Sequence, residues 1–270
     1  MYNDYFGFRE SPFNITPDTR LLFLSATHRE AFDHLLFGIR ERKGFILLTG
    51  EVGSGKTTLC RALMEQLDPS RCKTALILNP CMTATQLLRT ILIELGLKPK
   101  RDRVGSLTVL NEFLLAQVSA GNDVVVIIDE AQDMSPELLE EVRLLSNLET
   151  ASRKLLQIVL VGQPELRDNI DRKELRQLRQ RITVRYHLQP LSYDETKDYI
   201  YHRMTTCSTN SHPTFNWWAL RTIYSYSNGI PRLINAACDK VLLYGYVSNT
   251  HHFTATHVRR SIRELEGHVA

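Results

Sequence analysis

Apolar positions along the chain follow two regimes that change near residue 190. Before that point, short runs at 45–49, 74–78, 124–128, 155–161 and 182–187, most of them uniformly apolar, alternate with longer segments where apolar residues recur every three to four positions. Short runs without a polar alternate face predict strands buried on both sides, which suit a parallel sheet covered by helices. The periodic segments, about 56–67, 84–96, 106–120, 136–148 and 165–180, are then the crossover helices that parallel pairing requires. Ser135-Pro136-Glu137 opens one of them with a capping side chain, a proline at the first helical position and an acid facing the helix dipole. Thr27 with Glu30 makes a capping-box pattern that predicts a helix to about Arg42. Residues 1–24, rich in aromatics and turn formers (Phe6, Phe8, Pro12, Phe13, Pro17), read as an irregular arm laid against the body. After Pro190 the strand signals stop, and Ser192 with Glu195 opens a run of four helices at about 193–206, 216–227, 231–247 and 255–265. The expected fold class is α/β: a core with a five-stranded parallel sheet flanked by helices over 1–190, and a small all-helical domain over 191–270.

Composition narrows the class. With 43% hydrophobic and 23% charged residues among 270, the chain is neither disordered nor collagen-like. Its five cysteines are odd in number and form no C-x-x-C pair, which argues against a disulfide framework or a zinc site and for a reducing compartment. The nine histidines show no metal-ligand spacing. No apolar run approaches the roughly 18 residues that span a bilayer, and the opening lacks a basic stretch followed by an apolar one, so an unexported chain without a membrane span is expected. A formal charge of +3 is too small to announce nucleic-acid binding by itself. The basic clusters at 98–103 and at Arg259, Arg260 and Arg263 read as solvated faces, and Trp217 with Trp218 as core or subunit contacts.

Candidate chemistry is concentrated in two places. Gly50, Glu51, Val52, Gly53, Ser54, Gly55, Lys56 and Thr57 fill G-x-x-x-x-G-K-[ST] between an apolar strand and a helical segment, the context this phosphate-binding pattern requires. Glycines let successive N–H groups turn toward phosphate oxygens, and the helix N-terminus adds partial positive charge. Lys56 is suited to the β and γ phosphates of ATP, and the Thr57 hydroxyl to Mg²⁺; Thr58 completes the set. The run 124–128 ends in Asp129 and Glu130, which burial of the strand would deliver to one sheet edge. Asp129 is expected to hold Mg²⁺ and Glu130 to act as general base on the attacking water, against the plainer reading of two acids in a solvated turn.

With these segments the chain resembles AAA+ ATPases of the ExeA/GspA type, whose members assist assembly of secretion machinery in bacterial envelopes. The resemblance covers essentially the whole chain. It rests on Tyr5-Phe6-Gly7-Phe8, Pro12-Phe13 and Thr16-Pro17-Asp18, on the phosphate loop through Thr58, and on Asp129-Glu130-Ala131-Gln132. It continues through Leu144-Leu145-Ser146-Asn147-Leu148-Glu149-Thr150, Val161-Gly162-Gln163-Pro164-Glu165-Leu166, the stretch 175–182 and Gly229-Ile230-Pro231-Arg232.

The resemblance implies roles for further residues. Gln163, ending the fourth strand, corresponds to a polar sensor of the γ phosphate, where many AAA+ proteins have Asn. Asn79, ending the second strand, corresponds to a switch that holds the catalytic glutamate inactive. Arg181, with Arg176 and Arg179 nearby, stands where an arginine finger enters a neighbouring subunit's site, and Arg232 where a second sensor opens a lid helix. Each also has a plain reading: turns before Pro164 and Pro80, and a solvated basic helix face. The resemblance further implies a ring-like homo-oligomer that hydrolyses MgATP at subunit interfaces and serves an envelope or secretion-machinery protein. Its setting would be cytoplasmic, alone or as the cytoplasmic part of an inner-membrane protein. The rival is a nucleotide-switched DNA-binding adaptor like the helper ATPases of transposition, which makes DNA a possible but less favoured partner.

Overall fold

The computed structural model describes residues 2–16, 18–149, 154–209 and 212–267. Pro17 and Thr150, both within the family-like segments, lie outside the described residues. The strands of the main sheet are β1 (Phe45–Gly50), β2 (Cys72–Ile77), β3 (Asp123–Ile128), β4 (Gln157–Gly162) and β5 (Ile182–Leu188). In chain order the helices are α1 (Tyr2–Phe6), α2 (Ala26–Arg40), α3 (Lys56–Gln66), α4 (Ala84–Glu94), α5 (Arg103–Ser119), α6 (Pro136–Leu145), α7 (Pro164–Ile170), α8 (Arg176–Arg181), α9 (Tyr193–Cys207), α10 (Trp217–Ser227), α11 (Pro231–Val247) and α12 (Ala255–Leu265).

The chain divides into two compact units, one of Arg29–Gly50 and Leu59–Leu188, the other of Met1–His28, Glu51–Thr58 and Gln189–Ala270. The change at 188/189 falls close to residue 190, where the hydrophobic pattern changes. The arm and the phosphate loop, expected with the sheet, group instead with the helical segments. The physical reason for the arm is its burial: Phe6, Phe8, Phe13 and Leu21 share a core with Leu191, Ile200, Met204 and Phe253.

In the first unit the sheet order is β2-β3-β4-β1-β5, all parallel. Every residue of β1 and β4 is buried, as uniformly apolar strands require. Because the strands are parallel, their carboxyl ends share one edge. The connection after β1 runs outward to β2 and that after β4 runs the other way to β5, so right-handed crossovers send them to opposite faces. The crevice between β4 and β1 is therefore a topological switch point, where open α/β sheets bind ligands. Gly38 lets α2 lie close to β1: a Cβ there would be 2.5 Å from Ile46 Cδ1.

Several elements differ from the sequence expectation. The cap of α2 is Ser25, whose Oγ accepts the His28 N–H at 3.2 Å, and Thr27 lies inside the helix. The helix expected over 165–180 is broken into α7, a short 3-10 turn at Lys173–Leu175, and α8. Its buried residues explain this, since Leu166, Ile170, Leu175 and Leu178 are spaced by four, five and three, and the five-residue step cannot keep one helical face inward.

In the second unit, residues 1–24 contain helix α1 and a 3-10 turn at Thr19–Leu21, where an irregular arm is expected. The arm is tied down by Arg9 N–H to the Cys207 carbonyl (2.8 Å) and Thr209 N–H to the Gly7 carbonyl (2.9 Å). The buried guanidinium of Arg203 adds bonds to the carbonyls of Pro12 and Asn14. Helices α9 to α12 are as expected, but two short parallel strands, β6 (Thr214–Phe215) and β7 (His252–Phe253), pair where no strand is expected. Each places one phenylalanine, Phe215 or Phe253, in the core, which two residues of sequence are too short to signal. Among the described residues no helix is long and apolar enough to cross a membrane.

Candidate functional site

The phosphate loop continues from Gly50 at the carboxyl end of β1 and enters α3 at Lys56. Gly53 (φ +78°) and Gly55 (φ +100°) adopt conformations that favour glycine, which lets the loop curl before the helix starts. Lys56 is nearly buried, at 6% exposure, and its Nζ donates to the Glu51 carbonyl at 2.9 Å. Thr57 and Thr58 follow in the first turn of α3. The Ser54 hydroxyl is buried and has no hydrogen-bond partner, a polar atom whose burial costs free energy until something supplies one. Glycine curl, buried hydroxyl, lysine and helix N-terminus together fit a phosphate group.

Two supports of this loop come from the start of α2 and from α11. His28, 3% exposed, directs Nε2 at the Ser54 carbonyl at 2.9 Å. A carbonyl only accepts, so Nε2 carries the proton and Nδ1 accepts from Ser25 Oγ at 2.8 Å. Burial pulls the His28 pKa below the ordinary imidazole value, although the bond to Ser54 acts the other way. Helix α11 has no side-chain cap at Ile230, and the Gly53 carbonyl accepts the Arg232 N–H at 3.2 Å in its place. The approach is so close that a Cβ on Gly53 would sit 2.3 Å from Arg232 Cβ. Arg232 is thus beside the loop, as the resemblance implies, with its side chain exposed.

At the carboxyl edge of the sheet, Asp129 is 2% exposed. Its N–H continues the ladder to Ile77 (2.8 Å), and its Oδ1 accepts the Glu130 N–H (2.9 Å). Glu130 takes a left-handed conformation (φ 52°, ψ 37°) that an L side chain adopts at a cost. Gln132 Nε2 donates to Glu130 Oε2 at 2.8 Å, and Gln132 Oε1 accepts the Gln163 N–H at 3.0 Å. Gln163 sits where expected, at the end of β4, with its own Nε2 3.4 Å from the same Glu130 oxygen. Asn79 is exposed, and its Oδ1 accepts the Cys81 N–H at 3.2 Å, closing the turn through Pro80. Asn79 thus closes its own turn through Oδ1, and Glu130 is paired with Gln132.

Arg181 precedes β5 and so stands at the amino edge of the sheet. Seven residues at about 3.3 Å each separate it by roughly 20 Å from the carboxyl edge. Its Nη1 donates to Ser146 Oγ (2.6 Å) and approaches the Arg143 carbonyl (3.4 Å), at the C-terminal end of α6 where a cation is favoured. Arg179 lies 3.9 Å from Asp171. Trp217 and Trp218, expected in a core or a contact, are 52% and 63% exposed and stack edge to face. No three His, Cys, Asp or Glu side chains converge as a metal cage among the described residues.

Ser25, His28 and Gln132 acquire parts that the sequence analysis did not assign. Gln132 stands in the quoted Asp129–Gln132 segment, so its nearness to Glu130 was available. His28 meets Ser54 from 26 positions away, and no local signal exists for that.

Residues 39–170 match a family described as AAA domain. General secretion pathway protein A of Aeromonas hydrophila is 43% identical over 269 residues, 99% of this chain and 49% of that protein, so the chain spans about half the length of this curated relative. Among solved structures, the Aeropyrum pernix ORC2 protein in ADPNP–ADP complexes matches with a TM-score of 0.68 at 17% identity, over 96% of this chain and 72% of that one. The Thermotoga maritima RuvB Holliday junction branch migration motor matches with a TM-score of 0.59 at 17% identity, over 91% and 73%. At such identities these likenesses concern the fold alone.

Proposed function

We propose that this chain, an AAA+ P-loop protein of the general secretion pathway protein A type, binds MgATP through residues 50–58 and hydrolyses it with Glu130 as general base. The observation that carries the reading is the loop itself. Its positive-φ glycines lead into a helix that opens on Lys56 and Thr57, with a buried hydroxyl awaiting a partner. Lys56 exchanges its bond to the Glu51 carbonyl for the β and γ phosphates, and backbone N–H groups of the loop bind the phosphate oxygens. Thr57 and Asp129 would hold Mg²⁺, which would supply positive charge against the phosphates. Glu130 takes a proton from the attacking water, Gln163 contacts the γ phosphate or that water, and Arg232 adds a cation from the start of α11.

We assign Arg181 to the site of a neighbouring subunit. Its place at the amino edge of its own sheet, about 20 Å from the carboxyl edge, supports action in trans. Its bonds at the end of α6 then describe a parked state that subunit contact exchanges for a phosphate. A ring-like homo-oligomer follows. The Aeromonas relative is named for general secretion; together with the family resemblance of the sequence, this leads us to place the chain's work in the assembly of a bacterial envelope secretion complex, on its cytoplasmic side.

The test is a pair of variants. Lys56→Ala should abolish ATP binding, whereas Glu130→Gln should retain binding and lose hydrolysis by roughly 10² or more. Unchanged turnover in Glu130→Gln refutes the assignment of the base.

A further inference from the structure

Glu130 carries a carboxylate on a backbone that an L residue enters at a cost, and such outliers persist where surrounding contacts hold them. Here the contacts come from side-chain amides. Gln132, in the 3-10 turn Ala131–Asp133, bonds to the carboxylate with Nε2 and to the Gln163 N–H with Oε1, bridging two chain segments 31 residues apart. Gly162 makes the bridge possible: a Cβ there would sit 2.7 Å from Gln132 Oε1. The same carboxylate oxygen, Oε2, faces the Gln163 amide nitrogen, so both donors converge on one atom and leave Oε1 for the water.

We propose that Gln132 is a positioning residue that sets which oxygen of Glu130 receives the proton, and ties that choice to the end of β4 through the Gln163 backbone. The inference rests on Glu130 as the general base. It gives Gln132 the restraint on the glutamate that the resemblance assigns to Asn79, whose amide oxygen is engaged by Cys81. A γ phosphate that draws on Gln163 then also moves the far end of the Gln132 bridge, so the pose of the base responds to nucleotide state.

The expected result for Gln132→Ala, and for Gln132→Met, which keeps length without hydrogen bonds, is a kcat lower by roughly 10- to 100-fold, the scale of one hydrogen bond to a charged group. The loss should fall on kcat rather than on the Kd for ATP, and Tm should drop only slightly, because the two bonds of the bridge are only partly buried. Gly162→Ala, which would displace the Gln132 oxygen but also press on buried Leu166 (2.8 Å from its Cδ2), should lower kcat and, unlike the Gln132 variants, clearly lower Tm. Within Glu130→Gln, adding Gln132→Ala should cost nothing more, since there is no base left to position. A merely structural Gln132 would instead clearly lower Tm in its own variants and multiply the loss in the double variant. Parent-like kcat in both Gln132 variants, or a further loss in the double variant, overturns the proposal. If Glu130→Gln is inactive while the Gln132 variants are active, this inference alone fails. If Glu130→Gln turns over like the parent, the base assignment fails first and this inference falls with it.

Discussion

Replacing Gly53 by alanine separates backbone strain from the contact that joins the phosphate loop to α11. Gly53 has φ +78°, and forcing an L side chain into that region costs about 1–2 kcal/mol. The new Cβ would lie 2.3 Å from Arg232 Cβ, 3.0 Å from its Cδ and 3.2 Å from its Cγ. Carbon atoms pack at about 3.5–4.0 Å, so loop and helix must separate by more than an ångström. That displacement also breaks the 3.2 Å bond from the Arg232 N–H to the Gly53 carbonyl, which caps the helix. Gly96 is a matched control, because it has the same φ of +78° with nothing within 4 Å of the added atom. Gly96→Ala should therefore lower stability by about 1–2 kcal/mol and leave nucleotide affinity alone. Gly53→Ala should show the same strain and, in addition, weaken ATP binding by roughly 10- to 100-fold, the loss of about 1.4–2.8 kcal/mol. Titration calorimetry with ATP and urea denaturation of both variants measure the two quantities. Equal ATP affinity in parent and Gly53→Ala, or an equal loss in Gly96→Ala, would refute the reasoning.

Two other expectations follow from the site. Arg181→Ala should bind ATP and lose hydrolysis, and mixing it with Glu130→Gln should restore activity at interfaces that pair an intact Arg181 with an intact Glu130; a monomer with full turnover and no rescue on mixing contradicts the shared site. The pH dependence of stability should carry the signature of His28 and His202, both held below the ordinary imidazole pKa by burial. The unfolded chain takes up protons that the folded chain resists, so stability falls as pH drops through about 6.5 and these groups contribute no slope above about 7.5. Carboxylates held low, such as Asp102 and Glu137, add a loss of the same sign only below about pH 5. Urea midpoints at pH 7.5 and 5.5 check this, and His28→Gln should flatten part of the slope; an unchanged slope in that variant assigns it elsewhere.

Features determined by neighbours in the chain were legible without coordinates. The phosphate loop is eight consecutive residues whose glycines, lysine and threonine each answer a local geometric need. The strands announce themselves because burial on both faces demands continuous apolar runs, and the order of strand and helix implies a parallel sheet. Asp129 and Glu130 could be read as edge residues because a strand must end somewhere and they directly follow β3. What escaped was decided by contacts between residues far apart in sequence. The arm's aromatic residues were visible, but that they complete a helical core depended on α9 and α11 offering an apolar face and on Arg203 offering donors to Pro12 and Asn14. The break between α7 and α8 comes from which residues the sheet requires inward, and β6 and β7 exist only because two dipeptides 38 residues apart pair. The same holds at the site. The resemblance named Asn79 as a switch on the glutamate and Gln163 as a sensor of the γ phosphate, yet Asn79 Oδ1 closes its own turn while Gln132, reaching past Gly162, bonds to the carboxylate. Sequence specifies the groups available to a site because chemistry resides in side chains; the tertiary structure decides which of them meet, because hydrogen bonds act over about 3 Å and only folding brings their partners within reach.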